Sequence, residues 1–211
     1  MEKLFALAGK ARSGKDYTAS LIKDYYKDKK VLIYSNTYYL KKYVSKIYGW
    51  DGNDDTKPRE TLQVLGKKVK EKYPNILIDR MEEDIKLLSN YCDILIVTGV
   101  RLENEIKFLK KAGAILIKME RPDVENNLSK KEKQDVTETD VDKYHDYDYI
   151  VENTGEDLKQ KIEDILEVIK WIWKKYILIF LRVKDINIYH LLQLFLKMIL
   201  QYYLILLVCN H

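Results

Sequence analysis

Eight consecutive residues, Gly9-Lys10-Ala11-Arg12-Ser13-Gly14-Lys15-Asp16, follow the spacing G-x-x-x-x-G-K-D. Glycines so placed let a chain wrap until successive backbone N–H groups converge on a polyphosphate. A helix opening directly behind the loop adds the partial positive charge of its N-terminus. Lys15 would then reach the β- and γ-phosphates of a bound nucleotide. Asp16 stands where Ser or Thr is usual, and its carboxylate is an oxygen ligand of the kind magnesium prefers, directly or through water. The pattern is that of a P-loop, with ATP and Mg2+ as the expected ligands. The chain has neither N-K-x-D nor D-x-x-G, which argues against a GTPase switch.

Such a loop needs a strand before it and a helix after it. The apolar run Lys3–Ala8 supplies the strand, and the pattern over 15–28 supplies the helix. Further strand-like runs are 30–34, 93–98, 114–119 and 147–151; helical patterns cover 37–48, 59–72, 76–90, 102–112 and 156–173. In 102–112 the apolar Leu102, Ile106 and Leu109 share one face, and Gly113 follows as a C-terminal cap. Tyr38, Tyr39 and Tyr43 have the spacing of residues that a helix buries against a sheet. Alternating strands and helices predict an α/β fold of three layers, a parallel sheet flanked by helices, of the P-loop NTPase type.

Ligands in such sheets bind beyond the carboxyl ends of the strands. Gly9, Ser35, Gly99–Arg101, Arg121 and Asn153 all fall there. The chain is lysine-rich, with 6 Arg among 37 basic residues, so each arginine invites a reason. Arginine suits bidentate recognition of phosphate.

The totals narrow the class. The chain has 211 residues, 46% apolar and 33% charged, and carries a net charge of +4. That near balance offers no basic footprint for nucleic acid. Cys92 and Cys209 are too few and too isolated for a disulfide framework or a zinc site. No signal h-region precedes the loop, so a cytoplasmic setting is expected.

Several segments resemble the phage-type deoxynucleoside monophosphate kinases. The stretch Arg12-Ser13-Gly14-Lys15-Asp16-Tyr17-Thr18-Ala19 is similar to their R-S-G-K-D-x-T-A loop, and Arg59–Gly66 to their R-x-x-L-Q-x-x-G helix. Val100-Arg101-Leu102-Glu103-Asn104-Glu105 looks like D-V-R-F-x-N-E without its leading Asp. Arg121-Pro122 matches an R-P. Thr137-Glu138-Thr139 and Asp146–Asn153 resemble S-E-T and D-x-D-Y-x-I-x-N. The likeness covers residues 3–170, and animal phosphomevalonate kinases are similar at the loop.

The resemblance implies ATP-dependent phosphoryl transfer to the 5'-phosphate of a (deoxy)nucleoside monophosphate. Lys15, Arg101 and Arg121 would be catalytic. Gly9, Arg12, Ser13, Gly14, Lys15, Asp16 and Tyr17 would bind ATP, with Asp16 also holding the metal. Ser35, Lys41, Arg59, Gln63, Arg101, Asn104 and Glu138 would bind the acceptor, within an acceptor region at 35–80. Loop 120–140, with Lys130, Lys131 and Lys133, would act as a lid. Two departures stand out: Gly99 replaces an Asp that many members carry, and Asp135 replaces a His. A kinase for another small phosphorylated acceptor such as phosphomevalonate, and a nucleotide-binding module without turnover, are the alternatives.

Residues 1–175 are expected to form the kinase domain and 176–211 an apolar C-terminal extension. The extension holds 4 charged residues, and no Gly or Pro follows Gly155. Its polar interruptions give no strong membrane signal. Packing on the body or in a homodimer, an interfacial membrane contact, and a role-free extension are its candidate uses, in that order.

Overall fold

The computed structural model describes residues 1–53, 56–122 and 136–182. Five strands form one sheet in the order β2-β3-β1-β4-β5: β1 Lys3–Ala8, β2 Val31–Ser35, β3 Ile94–Val100, β4 Ile115–Glu120 and β5 Tyr149–Glu152. Every neighbouring pair is parallel, with Phe5 of β1 registered between Ile96 and Ile115. The central strands are covered on both faces, so they are continuous apolar runs rather than alternating ones. Phe5 through Ala8 and Ile94 through Val97 have no exposed surface. At the edges the pattern relaxes, and Ile33 and Ile150 are exposed.

Helices lie on both sides, giving the three-layer P-loop type of α/β fold. One core joins Leu4, Ala6 and Ala8 to Leu95 and Val97, beneath Met81 and Ile85 of α4 (Ile76–Leu88) and Ile106 and Leu109 of α5 (Glu103–Lys111). Phe5 and Leu7 alternate to the opposite face. There Thr18 of α1 (Lys15–Tyr25) donates to the Met119 sulfur at 3.6 Å. The stop of α5 follows from sequence. The N–H of Gly113 reaches Lys110 O at 3.0 Å and that of Ala114 reaches Leu109 O at 2.9 Å, a Schellman closure.

Two local readings differ from the sequence expectation. Helix α2 (Tyr38–Tyr48) buries Leu40 and Val44, while Tyr38 and Tyr43 are exposed. Its apolar i, i+4 pair turns toward α3 (Arg59–Lys72), where Gly66 leaves room for Leu40. Tyr38 and Tyr43 consequently point away from that contact, while Tyr39 is half-buried and donates its hydroxyl to Asp84 of α4 at 3.3 Å. The last strand starts two residues late because Asp148 is used as a cap: its carboxylate accepts the Leu116 N–H at 2.8 Å and pairs with Lys110 at 2.7 Å.

A short helix α6 (Val136–Thr139) and a 3-10 turn (Asp140–Asp142) precede β5, and α7 (Leu158–Arg182) follows it. The chain divides into two compact units, Met1–Asp164 and Ile165–His211. Helix α7 crosses that division and passes residue 173, consistent with the lack of any Gly or Pro to stop it. Residues 183–211 of the expected extension lie outside the described residues, as do 123–135 of the expected lid. Among the described residues no helix is long and apolar enough to cross a membrane.

Candidate active site

The loop leaves β1 at Gly9, where the chain passes directly over β4. A Cβ at Gly9 would sit 2.5 Å from the Met119 carbonyl oxygen, and φ is +148°. Only glycine fits so close an approach in that conformation. From the far edge Asn153, buried just past β5, donates its amide to Ser13 O at 3.2 Å. Arg12 is the one described non-glycine residue with positive φ, at 62°. The loop is thus braced by backbone and amide contacts from two strand ends.

Lys15 opens α1 and folds over this loop. Its ammonium donates to Gly9 O at 2.8 Å, Lys10 O at 2.5 Å and Ser13 Oγ at 3.2 Å. Burial, followed by the nearby Arg101 cation, lowers its pKa to about 7, while Asp16 and Glu138 oppose the shift. A lysine so placed is readily neutralised unless an anion arrives to share its surroundings.

Beside the loop opens a cleft of about 1180 Å³. Of the residues expected to bind or react, Arg12, Gly14, Lys15, Asp16, Tyr17, Ser35, Lys41, Arg59, Gln63, Arg101, Arg121 and Glu138 line it. Gly9, Ser13 and Asn104 do not. Gly9 and Ser13 shape the loop from behind. Asn104 is exposed, and its side chain accepts the Glu105 N–H at 2.9 Å. Glu105 is the buried member of that pair: one oxygen accepts the N–H groups of Arg101 at 3.1 Å and Leu102 at 3.2 Å. Burial raises its pKa.

Helix α3 lays one face along the cleft. Arg59, Leu62, Gln63, Gly66, Lys67 and Lys70 all line it, at steps of three and four residues. Lys67 and Lys70 were not singled out from sequence, although the Arg59–Gln63 spacing, continued at helical steps, leads to both. Lys57 also joins the lining. Among the described residues, nine basic ones meet four acidic ones there, so this lining is electropositive in a chain of near-balanced charge.

Gly99 has a structural reason. Ala6 pairs with Val97 but Ala8 pairs with Val100, so β3 carries one extra residue, and Gly99 takes φ +77° within that bulge. Asp16, in the first turn of α1, lines the cleft directly behind the loop. No cluster of three metal-ligating side chains occurs among the described residues. Magnesium typically takes one or two carboxylates plus substrate phosphates, so a single Asp beside a phosphate loop fits it.

Sheet order, phosphate loop and cationic cleft together define a P-loop α/β protein. No protein-family model matches the chain, and no curated protein matches it. Among solved structures it is similar to shikimate kinase from Aquifex aeolicus, at 18% identity over 80% of this chain and 98% of that one, with a TM-score of 0.45. It is also similar to the tunicamycin resistance protein of Deinococcus radiodurans, at 13% identity over 80% and 96%, with a TM-score of 0.48. Shikimate kinase from Bacteroides thetaiotaomicron matches at 12% identity over 80% and 98%, with a TM-score of 0.47.

Proposed function

We propose that this chain is a kinase that moves the terminal phosphoryl group of ATP onto the phosphate of a (deoxy)nucleoside monophosphate, giving the diphosphate and ADP. The observation that carries this reading is a buried lysine on a glycine-wrapped loop, in a cleft whose other cations, apart from Arg12 of the same loop, lie on other elements. The loop side suits the donor phosphates and the rest suits a second anion.

In the transfer, an acceptor phosphate oxygen bonds to the γ-phosphorus as the bridging bond to ADP breaks. The acceptor is already ionised, so no general base is required; alignment and charge neutralisation carry the catalysis. Lys15 and the loop amides hold the donor. Arg101 and Arg121 would neutralise the oxygens of the moving group. Ser35, Lys41, Arg59 and Gln63 would orient the acceptor. Asp16 would hold Mg2+, which when bound supplies further charge neutralisation at the phosphates.

One observation favours a second acceptor class. Among the described residues Tyr17 is the single aromatic one lining the cleft, it sits on the donor side, and Lys67 and Lys70 extend the cations along α3. A compact polyanion such as phosphomevalonate uses those charges and needs no ring to stack upon. ADP release measured with each nucleoside and deoxynucleoside monophosphate, then with phosphomevalonate, decides between them. Turnover with a nucleotide supports the first reading; turnover with phosphomevalonate alone replaces it. ATP binding without acceptor-dependent release from either class would leave a nucleotide-binding module.

A further inference from the structure

Glu138 has two carboxylate oxygens, and the protein itself engages both. Oε2 accepts the backbone N–H of Ala11, inside the phosphate loop, at 2.8 Å. Oε1 receives the guanidinium of Arg101. The side chain is buried, and 127 positions separate it from Ala11. These are the contacts of a brace rather than of a substrate ligand.

Its neighbours continue the pattern. Asp140 accepts the Glu103 N–H at 2.8 Å, at the start of α5 and two residues beyond Arg101. Asp142 pairs with Lys10 of the loop at 2.6 Å and with Lys118 of β4 at 2.9 Å. Arg101 is therefore fixed through its own amide by Glu105, through the following turn by Asp140, and through its guanidinium by Glu138. The brace has an electrostatic reason as well. Arg101 and Lys15 are close enough to repel, and a repulsion in a partly desolvated cleft is far stronger than in water. Glu138 offsets it. A guanidinium carries five N–H donors in a rigid fork, so a bond to Glu138 leaves others for phosphate oxygens.

We propose that Glu138 is a positioning residue that ties the phosphate loop to Arg101 and holds the guanidinium toward the terminal phosphate of the donor nucleotide. The inference rests on the kinase reading for where that phosphate lies. Its test does not require turnover. Affinities for ATP and for ADP, each with Mg2+, are measured by calorimetry on the full chain as wild type, Glu138→Gln, Arg101→Ala and the double variant. Wild type is expected to prefer ATP over ADP. Each single variant loses that preference by on the order of tenfold, the scale of a charge-assisted contact. The double variant loses no more than Arg101→Ala alone. Gln at 138 still offers an oxygen to Ala11, so the loop keeps its acceptor while the arginine loses its counter-charge. Glu138→Asp keeps the charge with a shorter reach and recovers part of the preference. It also replaces Glu138→Gln in the cycle should that variant fail to melt cooperatively.

Losses that add in the double variant, or equal losses for ATP and ADP, overturn the proposal. A wild-type protein that binds ATP but phosphorylates no acceptor sinks the kinase reading, while the binding cycle still decides the role of Glu138. A wild-type protein that binds no ATP overturns both.

Discussion

Lys15 is where the chemistry of the chain is most concentrated, and its state is set by surroundings rather than by residue type. Burial and Arg101 bring it to about 7, so it is an ammonium below that pH and loses its proton as pH rises above it. Bound phosphates favour the charged form, so nucleotide binding above pH 7 should take up a proton. Calorimetry at pH 8 in buffers of different ionisation enthalpy should show that uptake, and at pH 6 the uptake should fall toward zero. An uptake equal at both values would contradict the buried position. Lys15→Ala should abolish phosphoryl transfer while thermal melting stays cooperative, because the residue contributes charge to the cleft rather than apolar packing to the core. Retained turnover would remove the P-loop assignment.

At the scale of elements, the loop depends on how closely β1 and β4 approach. A methyl group at Gly9 meets the Met119 carbonyl, part of a strand on which β5 is also registered, so the neighbour cannot move aside. Gly9→Ala should therefore cost about 1–3 kcal/mol of stability and weaken ATP binding as the loop shifts. Urea unfolding alongside ATP titration measures both; an unchanged midpoint would show that the loop yields instead. The strands themselves were legible in sequence because burial on both faces demands continuous apolar runs. The fate of the α2 tyrosines was not. Helical spacing states which residues share a face, but Leu40 meeting Gly66 decided which face turned inward.

For the whole molecule, among the described residues every strand of the sheet ends by Glu152 and every cleft-lining residue precedes Thr139. The first unit closes at Asp164. A chain ending at Arg182 should therefore fold and bind ATP as the full chain does. A comparison of ATP affinity and acceptor turnover between the two proteins checks this. Lost binding in the shorter chain would make residues 183–211 part of the functional protein rather than an addition to it.

The sequence by itself determined the phosphate loop, its lysine, the strand–helix alternation and the arginines at strand ends. These are written in contiguous residues or in short periodic patterns, and local sterics and burial suffice to read them. Only the tertiary structure decided that Glu138 braces the loop from 127 positions away, that Asn153 supports it from the sheet edge, and that Lys67 and Lys70 extend the cationic face of α3. Those relations join residues far apart along the chain. Their partners are chosen by how strands and helices pack, and no spacing within one segment encodes that choice.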